Sequence, residues 1–248
     1  MTERPILFSG PMVRAILEGR KTQTRRVLNP QPTEHRYEGN DITYFKWKMP
    51  QGACGYPESV LKAKATRLDG FPYQVGDVLY VREAWRPIGG GSGSTCMKPE
   101  DVDFRASPPR GDEIEADVWD SMYPWKPSIH LPKAFSRIRL TVTDVRVQRL
   151  QDISEEDAKA EGVFLDSERP EEHDYTRNKW MCPKCAGTGL HNGFGPSLGV
   201  IFDIDCTRCD TAKKKYKHLW NSINEKRGHG WDVNPWVAAI TFKQRSER

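Results

Sequence analysis

The sequence has little of what marks a membrane, secreted or fibrous protein. Its longest apolar run is Trp236-Val-Ala-Ala-Ile-Thr-Phe242, seven residues with one threonine inside, against the roughly 20 that a spanning helix needs. The opening Met1-Thr-Glu-Arg-Pro carries an acid and a proline and leads into only three apolar residues, which does not make a secretory leader. A cytoplasmic chain with no membrane partner is expected. Charge of one sign is scarce too: 38 Lys+Arg against 34 Asp+Glu leave +4, so any basic surface is local. Cysteine is sparse, six in 248 residues, which argues against a disulfide scaffold in an intracellular chain of this size. Cys54 and Cys96 stand alone and are read as plain reduced thiols. Hydrophobic residues make up 37%, which fits a modest core with polar insertions rather than a mostly disordered chain. The length allows one elaborated domain or two small ones.

What is present falls into islands of order. Ile6-Leu-Phe8 reads as a short strand, Ser9-Gly10 as a cap, and Pro11 as a first helical residue. Met12, Val13, Ile16 and Leu17 recur at helical spacing until Gly19 stops the helix. Residues 29–73 show little periodicity and are expected to be an insertion. Gly76-Asp77 is a turn before the apolar strand Val78-Leu-Tyr-Val81. The tract Gly89-Gly-Gly-Ser-Gly-Ser94 is linker-like, and the polar stretch around it suggests a second insertion over about 87–123. Ile138 to Val147 alternates like a half-buried strand. In Ile153 to Gly162, Ser154 is a helix N-cap with Asp157 three residues on and Gly162 as the stop. A helix over Tyr216 to Lys226 and a strand over Trp236 to Phe242 close the chain, with Trp220 and Trp236 at core positions.

The strongest motif is Cys182-Pro-Lys-Cys185 with Cys206-Thr-Arg-Cys209, separated by 20 intervening residues. Two residues between thiolates let one tight turn aim both sulfurs at a single tetrahedral ion. A second such turn closes the site, leaving no open position for water, so structural Zn2+ is the expected cofactor. A redox pair and an iron–sulfur site are the alternatives. The first half, Cys182-Pro-Lys-Cys185-Ala-Gly-Thr-Gly189, is similar to the CxxCxGxG unit of DnaJ-type zinc modules. The second half lacks those glycines, so the similarity brings no chaperone function. Lys213-Lys-Lys215 beyond it is read as a solvated charge run ahead of a phosphate contact.

A second concentration of chemistry is Leu17-Glu-Gly-Arg20-Lys21-Thr-Gln-Thr24-Arg25-Arg26, where a helix hands over to extended chain. One lysine and three arginines at such density suggest an anion or nucleic-acid site. This Gly-Arg-Lys-Thr-x-Thr segment, the Gly76-Asp77-Val-Leu-Tyr-Val81 strand and the Ile153-Ser-Glu-Glu-Asp-Ala-x-x-Glu161-Gly helix together resemble the ASCH domain of the PUA-like superfamily. The resemblance covers the ordered parts of residues 4–28, 74–86, 136–163 and 216–243. With Trp125-Lys-Pro-Ser-Ile-His130 and Trp231-Asp-Val-Asn-Pro-Trp236, the long form is similar to phage and prophage members. It implies an α+β fold: a small PUA-like β-barrel with flanking helices, long loop insertions and a zinc-knuckle insertion. The corresponding division is residues 1–181 for the first part of the domain, 182–209 for the zinc module, and 210–248 for the last helix and strand.

The resemblance also implies chemistry. Some compact ASCH proteins hydrolyse N4-acylated cytosine nucleosides with a Lys, a Thr three residues on and a Glu on the later helix, and Lys21, Thr24 and Glu161 match those positions. A threonine hydroxyl becomes a nucleophile when a neighbouring base takes its proton, and a lysine serves if burial or nearby cations such as Arg25 and Arg26 depress its pKa. Glu161 would protonate the leaving amine or orient water. Strand alternation would put residues 21 and 24 on opposite faces, so Lys21 is expected in the turn. The competing expectation is a non-catalytic module for RNA or DNA, with ribonuclease activity a third reading, because one fold hosts several functions. For that binder, Arg20, Arg25, Arg26 and Arg82 would contact the ligand, together with the loop aromatics Trp85 and Trp125 and nearby His130. Trp85 is read evenly between stacking and packing, and His130 as structural ahead of functional.

Overall fold

A computed structural model describes residues 2–36, 43–46, 56–57, 72–87, 101–107, 124–163, 190–195 and 199–245. The elements in order are β1 (Glu3–Leu7), α1 (Gly10–Leu17), β2 (Gln23–Val27), β3 (Thr33–Arg36), β4 (Thr43–Lys46), β5 (Tyr56–Pro57), β6 (Val78–Arg82), β7 (Trp85–Pro87) and β8 (Val102–Phe104). They continue with β9 (Arg139–Arg149), α2 (Glu155–Ala160), β10 (Leu190–Gly195), β11 (Gly199–Asp205), α3 (Ala212–Asn224) and β12 (Trp236–Gln244). The class is mixed α+β, as expected. The closed barrel implied by the resemblance is not among the described strand pairings. The chain divides into two compact units, one of Met1–Thr22, Phe71–Asp144 and Thr241–Arg248, the other of Gln23–Gly70 and Val145–Ile240.

In the first unit the strand order is β1-β6-β9-β12. β1 lies parallel to β6, with Pro5 opposite Tyr80, and β6 lies antiparallel to β9, with Leu79 opposite Leu140. Alternation sends Ile6, Leu79, Val81, Leu140, Val142 and Phe242 into a core that α1 completes with Val13, Ala15 and Ile16. Phe8 meets Phe242 with ring centroids 6.2 Å apart. α1 starts as its sequence dictates. Ser9 holds extended dihedrals at the N-cap, its carbonyl accepts from Val13 N at 2.9 Å, and Pro11 sits in the first turn. At its other end Gly19 adopts φ +74°, and the reversing chain brings the Lys21 amide 2.9 Å from the Ala15 carbonyl.

A satellite cluster in the same unit joins Trp85, Val102, Phe104 and Leu131, with Phe135 against it. Beneath it Arg137 forks Glu83 through two 2.9 Å hydrogen bonds. Burial pushes the Glu83 carboxyl above its ordinary value, and Arg137 opposes that shift.

The second unit contains the order β9-β12-β2, the three-stranded β3-β4-β5 and the antiparallel hairpin β10-β11. Its core gathers Leu28, Val147, Leu150, Ala158, Tyr216, Leu219, Trp220 and Trp236. Residues 29–73, expected as an unpatterned insertion, hold three short paired strands, with Glu34 opposite Phe45 and Phe45 opposite Tyr56. α2 is the helix read from Ser154, whose Oγ accepts from the Asp157 amide at 3.1 Å, and Gly162 ends it at φ +88°. α3 begins four residues earlier than its apolar stripe suggested. Thr211 is its N-cap, accepting from Lys214 N at 3.2 Å, and the three-lysine run forms the first turn. No helix among the described residues is long and apolar enough to cross a membrane.

Candidate functional site

β2 carries an unusual burial pattern for a strand reading Gln23-Thr-Arg-Arg-Val27. Gln23, Thr24 and Arg25 are all withdrawn from solvent, and only Arg26 and Val27 emerge partway. A guanidinium buried in this way is costly unless anions meet it. α2 supplies them. Asp157 and Glu161 are one helical turn apart and so project from one side of the helix. Arg25 Nη2 donates to Asp157 Oδ2 at 2.7 Å, and Arg25 Nη1 donates to Glu161 Oε1 at 3.2 Å and to Gln23 Oε1 at 2.6 Å. Arg146 on β9 donates through Nη2 to both Asp157 oxygens, at 3.1 and 3.2 Å. Gln23 Nε2 adds a bond to Asp157 Oδ1 at 3.2 Å. From α3, the Tyr216 hydroxyl donates to Glu161 Oε1 at 3.4 Å, and the Arg25 guanidinium lies 5.9 Å from the Tyr216 ring centroid. Two guanidiniums thus face two carboxylates.

The electrostatics follow from that packing. Burial alone would raise the Asp157 carboxyl, but Arg25 and Arg146 outweigh it and hold it below its ordinary 3.8. Burial beside the Glu161 carboxylate pushes the Tyr216 phenol well above 10, and Arg25 and Arg26 offset part of this. Asp157 therefore gives stability that is present above about pH 4 and is lost as pH falls through its lower folded value. Thermal melts from pH 6 to pH 2 are expected to show a steeper acid loss for the wild-type chain than for Asp157→Asn. Parallel curves would place the acid sensitivity elsewhere.

Lys21 lies outside β2, in the turn that its backbone bond to Ala15 defines, as strand alternation demanded. Its side chain is 2% exposed, with Nζ 5.6 Å from the Phe8 ring centroid. Lys21 belongs to the first unit, Thr24 and Glu161 to the second. Of the expected catalytic residues, Thr24 is 2% and Glu161 3% exposed. Arg25, expected as a ligand contact, is fully enclosed, its Nη1 and Nη2 donating to Asp157, Glu161 and Gln23, and a surface phosphate cannot reach a guanidinium with no exposed area. Arg26 is half-buried, and Arg20 pairs with Glu18, donating through Nε at 2.7 Å.

The expected stacking aromatics divide. Trp85 is 5% exposed and packs in its apolar cluster, so it offers no open face to a base. Trp125 is half-buried with the Arg86 guanidinium 4.2 Å from its ring centroid. His130 is exposed, and Arg82 Nη1 donates to the neighbouring Ile129 carbonyl at 3.1 Å. Of the cysteine set, Cys206 and Cys209 are buried together, and Cys209 N donates to Cys206 O at 3.3 Å in a tight turn. α3 braces that turn: Lys214 Nζ donates to Thr207 O at 2.9 Å, and His218 Nε2 lies 3.3 Å from Arg208 O. Cys182 and Cys185 lie outside the described residues, as does the linker at Gly89–Ser94. Lys213, in the run read as solvated, donates to the Gln151 carbonyl at 2.7 Å.

Sequence reasoning missed Gln23, Arg146, Asp157 and Tyr216 as members of the buried network. The Asp157/Glu161 spacing was a usable signal, since two acids one turn apart on a short helix need a shared cation once that side is buried. Comparison with family models, curated proteins and solved structures returns no match.

Proposed function

We propose that this chain is an ASCH-like protein of the PUA-like barrel type that acts on modified cytosine nucleosides, hydrolysing the N4-acyl amide. The observation that carries the reading is Glu161. It is turned inward and hydrogen-bonded by Arg25 and Tyr216, where a merely surface-pairing glutamate would face solvent. The joint action of Lys21, Thr24 and Glu161 rests on the motif match and on the three-residue separation of the first two along the chain. In the proposed reaction Lys21 takes the Thr24 hydroxyl proton, and Thr24 Oγ attacks the acyl carbonyl carbon. The bond to N4 breaks as the proton that Lys21 took from Thr24 is relayed through the Glu161 carboxylate to that nitrogen, releasing cytidine and leaving an ester on Thr24. Water then hydrolyses the ester to the free carboxylic acid and restores the hydroxyl. The binder lined by Trp85 and Trp125 is the weaker reading, because Trp85 is consumed in packing. Incubating the full chain with N4-acetylcytidine and following cytidine by mass spectrometry tests the proposal. No turnover of this or longer N4-acyl nucleosides would sink it.

Structural zinc belongs to the same proposal. Buried thiols one tight turn apart suit a tetrahedral thiolate site, and Cys182, Cys185, Cys206 and Cys209 would hold the ion. Such an ion supplies cross-linking of the module and no reaction step. Elemental analysis of purified protein is expected to give one zinc per chain. Replacing all four cysteines by serine is expected to expose the hairpin region to protease while the first unit stays folded. A metal-free chain whose protease pattern is unchanged by the replacement would defeat the assignment.

A further inference from the structure

α3 has a beginning poorly suited to a helix. Its first turn holds Lys213, Lys214 and Lys215 and no acid, so three cations crowd the end where the macrodipole is already positive. At 13 residues such a helix is marginal in isolation, because its first turn forms against chain entropy. What holds that turn comes from the chain around it. Thr211 caps it, the side chain accepting from Lys214 N at 3.2 Å and the carbonyl from Lys215 N at 3.1 Å. Lys214 Nζ reaches back to Thr207 O at 2.9 Å and Asp210 Oδ1 at 2.6 Å, and His218 Nε2 lies 3.3 Å from Arg208 O. On the other side Glu155 Oε2 accepts from Lys213 N at 3.2 Å, and the Gln151 carbonyl accepts from Lys213 Nζ at 2.7 Å.

Thr207, Arg208, Asp210 and Thr211 are the residues between and just after Cys206 and Cys209, whose side chains are the buried ones of that turn. The backbone bond that closes the turn is long, 3.3 Å from Cys209 N to Cys206 O. The two cysteines form an apolar cluster of their own among the described residues, so hydrophobic packing adds little to it. The shape of the turn therefore depends on what the two sulfurs bind. Seven residues beyond Cys209 and about 6 Å along the helix from Ala212 stands Tyr216, at the start of the second turn. It is the residue of α3 whose hydroxyl donates to Glu161. Cys206, Cys209, Tyr216 and Glu161 all belong to the second unit.

We propose that the Cys206–Cys209 turn is a metal-dependent control on the Tyr216–Glu161 contact. With both thiolates fixed on a zinc ion, the turn presents the Thr207 and Arg208 carbonyls and the Thr211 cap to α3. The lysine-rich first turn then forms and Tyr216 bonds Glu161. When the thiolates are released and regain their protons, the turn loses its shape. The three lysines repel one another, the first turn of α3 opens, and Tyr216 loses its footing and withdraws from Glu161. Glu161 then keeps Arg25 as its partner. The control rests on the zinc reading given above and not on amide hydrolysis.

The test is amide hydrogen exchange of the full chain by mass spectrometry, zinc-loaded, after zinc is removed with EDTA, and after zinc is returned. Amides 212–219 are expected to exchange about tenfold faster without zinc and to recover when it is returned, while those of β6 in the first unit change by less than about twofold. Tyr216→Phe is expected to speed exchange at the Ala158 and Glu161 amides of the α2 turn about threefold with zinc bound. It should add nothing in the zinc-free chain, where the bond it deletes is already broken. Should the zinc-free chain aggregate, zinc-loaded Thr211→Ala removes the cap alone and is expected to speed amides 212–219 about fivefold with β10 and β11 still protected. A chain purified without metal would overturn the control together with the zinc reading. Three results would overturn the control alone: EDTA opening β10 and β11 but leaving 212–219 unchanged, Tyr216→Phe acting equally with and without zinc, or Thr211→Ala leaving exchange as it was.

Discussion

Arg25→Ala is expected to destabilise the chain by about 3–5 kcal/mol, the range for breaking a buried ion pair by removing one partner. The guanidinium has no exposed area and joins Asp157 at 2.7 Å and Glu161 at 3.2 Å. Its loss leaves Asp157 with Arg146, which is one-third exposed. Glu161 keeps the long hydrogen bond from Tyr216, which supplies no charge. Most of the cost is thus the desolvation of two largely buried carboxylates that have lost a shared cation, rather than the intrinsic strength of the pair. Adding Glu161→Gln to Arg25→Met should recover a large part of it, since Gln removes a buried charge that has lost its Arg25 partner and Met restores packing beside Tyr216. Urea unfolding followed by tryptophan fluorescence measures both differences. A loss below about 1 kcal/mol for Arg25→Ala would mean the guanidinium is exchanging with solvent and the network is not closed.

The contrast between Arg25 and its neighbours shows which information is local. α1, its stop at Gly19 and the position of Lys21 before β2 were legible because the cap, the proline and the left-handed glycine act within a few residues of one another. The Ser154 cap of α2 was legible for the same reason. Thr211 was overlooked as a cap because the lysines after it carry no apolar periodicity, although the cap is equally local. Arg25 was read as a surface cation because its partners lie 132 and 136 residues further along the chain. Nothing in a basic run tells which member faces inward. Asp157 shows the same limit from the other side: its amide fulfils the capping expectation while its carboxylate serves Arg25 and Arg146. Trp85 was undecidable between stacking and packing until Val102, Phe104 and Leu131 were seen around it.

Thr24→Ala and Lys21→Ala are each expected to lower N4-acylcytidine hydrolysis by roughly a thousandfold, with the double variant little worse than either, because a nucleophile and its base act as one unit. Glu161→Gln should cost about a hundredfold while keeping an amide oxygen to accept from Arg25 and Tyr216, so its effect on folding stays small beside its effect on rate. That separation matters, since Glu161 is also a partner in the buried ion network and a rate loss that tracked stability would report only unfolding. Tyr216→Phe supplies the matching control: it deletes the 3.4 Å hydrogen bond but leaves the Arg25 pairing and the aromatic packing on Trp220 and Trp231, whose ring centroids lie 6.1 and 6.4 Å away. Initial rates by mass spectrometry, paired with urea midpoints for every variant, distinguish the two. If Thr24→Ala keeps wild-type turnover, water attacks the acyl carbon directly and Thr24 only positions it. If Glu161→Gln keeps wild-type turnover, the proton reaches N4 from another donor and Glu161 is confined to holding Arg25.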